Sequence, residues 1–341
     1  MYNFLIYIAH SYSLPIGRPL QEEIRKRGYE VKWFAELEYT KNIFSTNEDV
    51  LNTIQEVVDY KPDIVLVSCN VVPHFFSGIK VQLFHGFSVN KRSLNKGHFR
   101  IRGFFDLYCT QGPSTTQPFL TLKEKHKYFD VVETGWSKVD PLFPIQKKKA
   151  TERPVIMISS TFTTRLSLAN NDDVVNEIKR LSKIGKWQFL CVLHPKMDQE
   201  VVDKFELLEN ENFRYFNTTD LVPIFRKADI MLSDTTSAIP EFILQEKPVV
   251  TFRNNKPDDY LINVTAVNQI EEAIEKALTR PDDIIQHIRE YIARTHPYAD
   301  GKSSERVIDA SINFLETKKV KRKPLNLIRR IKNRIRLKYY N

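Results

Sequence analysis

The chain has 341 residues, more than one compact core usually holds, so two domains of about 150 residues each are expected. With 42% hydrophobic and 27% charged residues the composition is that of a soluble globular protein, and no run approaches the roughly 20 apolar residues of a membrane helix. The formal charge of +9 belongs to the tail: from Thr317 onward there are eleven Lys or Arg and no acid, and 51 less 11 leaves 40 basic against 42 acidic residues, a body near −2 that gives no case for a nucleic-acid groove.

The stretch "NFLIYIAH" lacks the basic flank and cleavage site of a signal peptide and reads as a first strand. The helix-like "PLQEEIRKRG", closed by Gly28, and the strand "YEVKWFAE" follow. Next come a helix from about Asn47 to Tyr60 and the strands "DIVLVS", "KVQLFHG" and "FDLYCT". Residues 139–154, with three prolines and a lysine run, read as a linker. The pattern then restarts with "VIMISST", a helix, "QFLCVLHP", "DLVPIFRKA", "DIMLSD", the helix "SAIPEFILQE", "PVVTF" and two further helices. Strands alternating with helices imply parallel sheets, hence two doubly wound α/β domains, 1–145 and 151–316, followed by a basic tail, 317–341. Cys69, Cys109 and Cys191 lie in apolar stretches without CxxC spacing and read as buried thiols in a reducing cytoplasm.

In such sheets ligands sit outside the carboxyl ends of the strands. Those ends are polar here: His10-Ser11, His85-Gly86, Ser159-Ser160-Thr161, His194-Pro195-Lys196 and Ser233-Asp234-Thr235-Thr236-Ser237. Five such ends on the same edge of two sheets point to a cleft between the domains. The last run combines hydroxyls and backbone N–H groups at an expected helix start, where a phosphate binds well. An ordinary helix cap is the competing reading, but a cap needs one such residue and here five are consecutive. Neither GxGxxG nor GxxxxGK[ST] occurs, and no His spacing or Asp-x-Asp pair supports a metal, so a diphosphate would be stabilised by helix dipoles, hydroxyls and cations.

The blocks "VQLFHGFSVNKR", "TGWSKVDPLF", "MISSTFTTR", "LHPK", "DLVPIFRKADIMLSDTTSAIPEFILQEKPVVTF" and "DGKSSERV" occur in the order seen in CDP-glycerol glycerophosphotransferases, the teichoic-acid and capsule polymerases and primases, and the chain resembles that family from about Lys80 to Leu315. The resemblance implies a GT-B fold with the nucleotide held mainly by the C-terminal domain. It also implies metal-independent transfer of a phospho-polyol from a CDP donor to a lipid-linked glycan acceptor, with no cofactor. By it His85 matches the base that deprotonates the acceptor hydroxyl, and His194 matches a contact to donor phosphate or leaving group. Thr161 and Arg165 match the phosphate-contacting segment, Thr236 and Ser237 the hydroxyls on the diphosphate, Glu241 an acid near the ribose, and Lys91 the cation after His-Gly. Gly86 would give the reacting groups clearance, and His10 joins the acceptor side. Asp300, Ser303 and Ser304 come from the "DGKSSERV" block.

Thr235 stands where the family often has Tyr, Pro240-Glu241 where Phe-Asp is common, and "STFTTR" lacks the usual Ala-Pro. The donor therefore stays open between CDP-glycerol, CDP-ribitol, another CDP-polyol and a nucleotide sugar. "SDTTSAIPEFILQEKPVV" also resembles the pattern of UDP-GlcNAc 2-epimerases, so an epimerase or a GT-B glycosyltransferase is the alternative. In the tail, Pro324 can start a helix, and Leu325, Ile328, Ile331, Ile335 and Tyr339 recur at three- or four-residue spacing among cations. That is the profile of a helix lying on an anionic leaflet, which would place a cytoplasmic enzyme at the inner face of the membrane through residues 318–341. A solvated basic tail or nonspecific RNA contact is the alternative; specific nucleic-acid binding is not expected.

Overall fold

A computed structural model describes residues 1–87, 99–145, 153–318 and 320–340. The chain divides into two units, residues 1–141 with 295–341 and residues 142–294. Unit 1 begins with β1 (Asn3–Ile8), α1 (Leu14–Lys26), β2 (Glu30–Ala35), α2 (Glu38–Lys41), β3 (Val50–Leu51) and α3 (Ile54–Tyr60). It continues with β4 (Ile64–Val67), β5 (Ile79–Gln82), β6 (Leu107–Thr110), α4 (Pro113–His126) and β7 (Asp130–Glu133). Unit 2 holds β8 (Val155–Ser160), α5 (Asp172–Ile184), β9 (Gln188–Leu193), α6 (Gln199–Glu206), β10 (Phe213–Tyr215) and α7 (Val222–Lys227). Then come β11 (Ile230–Ser233), α8 (Ile239–Ile243), β12 (Val249–Phe252), β13 (Ile262–Val264), α9 (Ile270–Leu278) and α10 (Asp282–Thr295). The chain ends with α11 (Ser303–Thr317) and α12 (Leu327–Leu337) in unit 1.

Both sheets are parallel, in the orders β3-β2-β1-β4-β5-β6-β7 and β10-β9-β8-β11-β12-β13. Each reverses direction once, between β1 and β4 and between β8 and β11, as doubly wound sheets do. The central strands read Ile-Val-Leu-Val in β4 and Ile-Met-Leu-Ser in β11 and are buried along their whole length, because helices cover both faces of a parallel sheet. α1 buries Ile16, Leu20 and Ile24, four residues apart on one stripe. It lies so close to β2 that a Cβ on Gly17 would meet the Trp33 ring at 2.3 Å. The composition of the two units is that of the GT-B fold class.

Four expected boundaries shift. Helix α11, expected in the C-terminal domain, packs on α1 and belongs to unit 1. The reason is a cap supplied from far along the chain: the buried Asp140 carboxylate accepts from Ser303 N at 2.8 Å and from Ser304 N and Ser304 Oγ at 2.7 Å. These are donors that a helix start leaves without partners. Residues 139–142 are therefore not linker; Val139 and Leu142 are buried. The helix expected from Asn47 begins only at Ile54, capped by Thr53 Oγ1 on Glu56 N at 3.1 Å, because Val50 and Leu51 pair with β2 instead. The short strands β3, β7, β10 and β13 were not foreseen. The tail is not a separate segment either: it is part of unit 1, and its helix starts at Leu327, after Asn326 in the left-handed region, rather than at Pro324.

The same joint holds His296, buried, with its Nε2 accepting from Trp136 N at 3.0 Å. Burial lowers its pKa from 6.5 to about 4. An imidazole held neutral in the folded chain takes up a proton on unfolding, so acid favours the unfolded state. This contribution is intact above pH 6.5 and is lost as the pH falls towards 4. Between pH 7 and pH 5 the loss is about 2 kcal/mol. Melting temperatures across that range should fall, and His296→Gln should flatten the slope.

Candidate functional site

In unit 2 the carboxyl ends of three neighbouring strands meet at the point where strand order reverses. Ser160 of β8 pairs with Leu193 of β9, which sets Thr161 and His194 side by side, and Ser233 of β11 pairs with Ser159 on the other flank. Buried Asp234 organises this edge. Its carboxylate accepts from Ser160 Oγ at 2.5 Å, Thr161 N at 3.0 Å, Leu168 N at 3.0 Å and Thr235 N, with no ion-pair partner among the described residues. Burial is the largest influence on it and pushes its pKa up against those donors. Ser233 Oγ donates to Ser159 O at 2.6 Å.

Of the five residues expected to face phosphate, Ser233 and Asp234 are thus turned inward and shape the loop. Thr235 and Thr236 are half-buried and Ser237 is exposed, so these three lie nearer solvent at the edge, with Thr235 Oγ1 accepting from Asn255 N at 3.4 Å. Thr236 Oγ1 also accepts from Ala238 N at 3.4 Å, a turn contact before α8, whose five residues make it shorter than the helix expected here. Arg165 sits exposed in the turn Thr164–Leu166, while Glu241 is buried in α8. Asn254, one residue beyond Arg253 at the end of β12, was missed: its Nδ2 donates to Asp234 O at 2.7 Å and fixes the same loop. The only sequence signal was a polar run directly after a buried strand.

His194 is half-buried, and its Nδ1 accepts from Lys196 N at 3.0 Å. That bond assigns the ring proton to Nε2, making His194 a donor. Phe162 packs on the imidazole with centroids 4.5 Å apart.

In unit 1 the reversal point lies between β1 and β4, and His85 stands next to it. Its Nδ1 lies 3.1 Å from Ser68 O just past β4; a carbonyl only accepts, so Nδ1 carries the proton and Nε2 is the basic nitrogen. His85 and His194 therefore hold opposite tautomers. The turn that aims His85 falls on Phe84, at φ 60°, a backbone conformation costing a bulky residue about 1–3 kcal/mol and common at functional sites. Phe84 is pinned by burial and by an edge contact to Phe119 at 5.2 Å. Gly86 is not among the residues with positive φ, and a Cβ built on it meets nothing within 4 Å, so it leaves open space. Lys91 lies outside the described residues.

His10 closes the other side of the row. Its ring is 5.2 Å from Tyr12, which is 5.8 Å from His85, and its Nδ1 is 2.6 Å from Tyr39 Oη. Tyr12 is a second residue that sequence reasoning missed, and burial pushes its phenol up to about 12, so it is a neutral donor at pH 7. Asp300, Ser303 and Ser304 are placed elsewhere in unit 1, at the start of α11. Asp300 pairs with Arg306 at 2.8 Å, and both serines are held by Asp140. All three cysteines are free thiols, Cys109 and Cys191 buried and Cys69 partly so. No helix among the described residues is long and apolar enough to cross a membrane.

Comparison with known proteins places this geometry. The family model for UDP-N-acetylglucosamine 2-epimerase matches residues 122–311, more than half of the chain. The chain belongs to that family. The 2-epimerase match runs from within α4 through unit 2 to α11 and leaves out the segment carrying His10 and His85. The matching family model is thus not the glycerophosphotransferase one that the motifs resemble, while the GT-B class expected from that resemblance holds. Both groups appear among similar solved structures. A wall teichoic acid polymerase, TagF, has 13% identity and a TM-score of 0.65 over 92% of this chain and 89% of that one. The S. aureus MnaA–UDP complex has 15% identity and a TM-score of 0.64 over 94% and 99%. The UDP-GlcNAc 2-epimerase of Neisseria meningitidis bound to UDP-GlcNAc has 16% and 0.58 over 91% and 99%. At these identities the likeness is one of fold. No curated protein sequence matches.

Proposed function

We propose that this member of the 2-epimerase family is a nucleotide-dependent transferase that moves a phospho-polyol group from a CDP-linked donor to a hydroxyl of a lipid-linked glycan acceptor, without a metal or other cofactor. The observation that carries the reading is the pair of opposite tautomers. Nε2 of His85 can take the proton of an attacking hydroxyl, and Nε2–H of His194 can donate to a phosphate oxygen of the donor. The new oxygen–phosphorus bond forms as the diphosphate linkage breaks, and the nucleoside monophosphate leaves. Thr161, Arg165, Thr235, Thr236 and Ser237 are proposed to hold the diphosphate and Glu241 to lie near the ribose. Gly86, His10 and Lys91 are proposed for the acceptor side.

The family match favours a second reading, epimerisation of UDP-GlcNAc, because it covers the whole of unit 2. One experiment separates them. The purified chain is incubated in D2O with EDTA, either with CDP-glycerol and a lipid-linked acceptor or with UDP-GlcNAc, and the products are read by mass spectrometry. A glycerol-phosphate adduct with release of CMP is expected. One deuteron gained at C2 of the sugar, with no adduct, would establish the epimerase instead. Thermal stabilisation by CDP over UDP is the companion result expected for the first reading.

A further inference from the structure

The amphipathic helix α12 is mounted with its polar side against the protein. Arg329, Asn333 and Arg336 share one face, at spacings of four and three residues. Arg329 donates to Arg102 O at 2.6 Å, buried Asn333 to Val72 O at 3.3 Å, and Arg336 pairs with Glu36 at 3.1 Å. Lys323, ahead of the helix, reaches buried Asp106 at 2.6 Å. Behind the helix, Tyr339 stacks on Phe75 with centroids 4.7 Å apart, so it leaves the apolar stripe on which its spacing placed it. The rest of that stripe points away from the body: Ile328 is 72% exposed, Ile331 56% and Ile335 58%.

Beside this helix lies a cavity of about 270 Å³ lined by Arg100, Arg102, Arg329, Lys332, Asn333 and Arg336, with Val71 and Phe104. Glu36 answers Arg336, but among the described residues none of Arg100, Arg102, Arg329 and Lys332 has a carboxylate within ion-pair distance. Arg102 is half-buried, and the guanidinium charges of Arg100 and Arg329 add to burial in lowering its pKa. Cations assembled without counter-charge in a concave site are arranged for an anion with several oxygens. The exposed isoleucines border a residue of the same cavity, Lys332, so the anion that fits carries an apolar chain.

We propose that this cavity receives the phosphate headgroup of an anionic phospholipid while Ile328, Ile331 and Ile335 enter the acyl boundary, seating unit 1 on the membrane through a docked helix. The inference does not depend on which reaction the chain catalyses. Its test uses the full chain and vesicles of phosphatidylcholine, alone or mixed equally with phosphatidylglycerol. Arg100→Glu with Lys332→Glu alters the cavity without touching the bonds that dock α12, and Ile328→Ser with Ile331→Ser alters only exposed positions. Binding to the mixed vesicles at least tenfold stronger than to phosphatidylcholine is expected, reduced at least tenfold by either pair of substitutions and by 0.5 M salt. Equal binding of the Arg100/Lys332 variant overturns the headgroup site. Equal binding to both vesicles overturns the lipid charge preference. Thermal stabilisation by inorganic phosphate without vesicle binding assigns the cavity to a free anion and overturns the lipid. Dimerisation abolished by the isoleucine changes, or RNA binding indifferent to them, overturns the membrane as occupant.

Discussion

Replacing His85 with alanine is expected to reduce transfer by about 10²–10⁴-fold while nucleotide affinity stays within twofold. The imidazole belongs to unit 1, and Thr235, Thr236 and Ser237, the hydroxyls proposed to hold the diphosphate, belong to unit 2, so the substitution removes the proposed base without touching the loop after β11. Steady-state rates with isothermal calorimetry on the same preparation check both halves of the statement. Near-normal turnover would remove His85 from the chemistry. A fall in affinity matching the fall in rate would make it a binding residue. His85→Gln is the informative companion, since an amide can keep the bond to Ser68 O at 3.1 Å without accepting a proton, and it is expected to be as inactive as alanine.

The second large effect falls on Asp234. Alanine there leaves Thr161 N, Leu168 N and Thr235 N facing a space with no acceptor, while Ser160 Oγ keeps only Ser167 Oγ and Thr161 O. Each orphaned buried donor costs about 1–3 kcal/mol, so a loss of at least about 3 kcal/mol is expected in chemical denaturation, together with loss of nucleotide binding. The control is Thr236→Ala with Ser237→Ala. It is expected to weaken nucleotide binding at least tenfold while stability changes by less than about 1 kcal/mol, because Ser237 is exposed and Thr236 Oγ1 makes only the 3.4 Å turn contact with Ala238 N. A stable, nucleotide-binding Asp234→Ala variant would show that the loop after β11 holds its shape without the carboxylate.

Much of the fold was legible because its strands are apolar runs with polar ends. β1, β4, β5, β8, β9, β11 and β12 each show this pattern, and the ends of β5, β9 and β11 led to His85, His194 and the loop after β11. The edge strands β3 and β13 escaped because two or three residues make no run, and β7 because its sequence, Asp-Val-Val-Glu, lies half exposed. The placement of α11 was unreadable for a different reason. Its amphipathic stripe fits either unit, and the choice is made by Asp140, 163 residues before Ser303. The proton positions on the two catalytic candidates were equally out of reach, since they depend on a carbonyl after β4 and an amide after β9. Spacing identified the amphipathic character of α12 but not its orientation, which is set by partners such as Glu36 and Val72.

The hold of Asp140 on Ser303 and Ser304 also orders events during synthesis. At roughly 5–20 residues per second the ribosome needs roughly 8–30 s to travel from one to the other. Through most of that interval the nascent chain carries the first seven strands without the helix that covers α1. Unit 2 is continuous in sequence and can collapse while it waits. The nascent N-terminal sheet thus waits longest for its covering helix, and truncations before residue 303 should leave that face uncovered permanently.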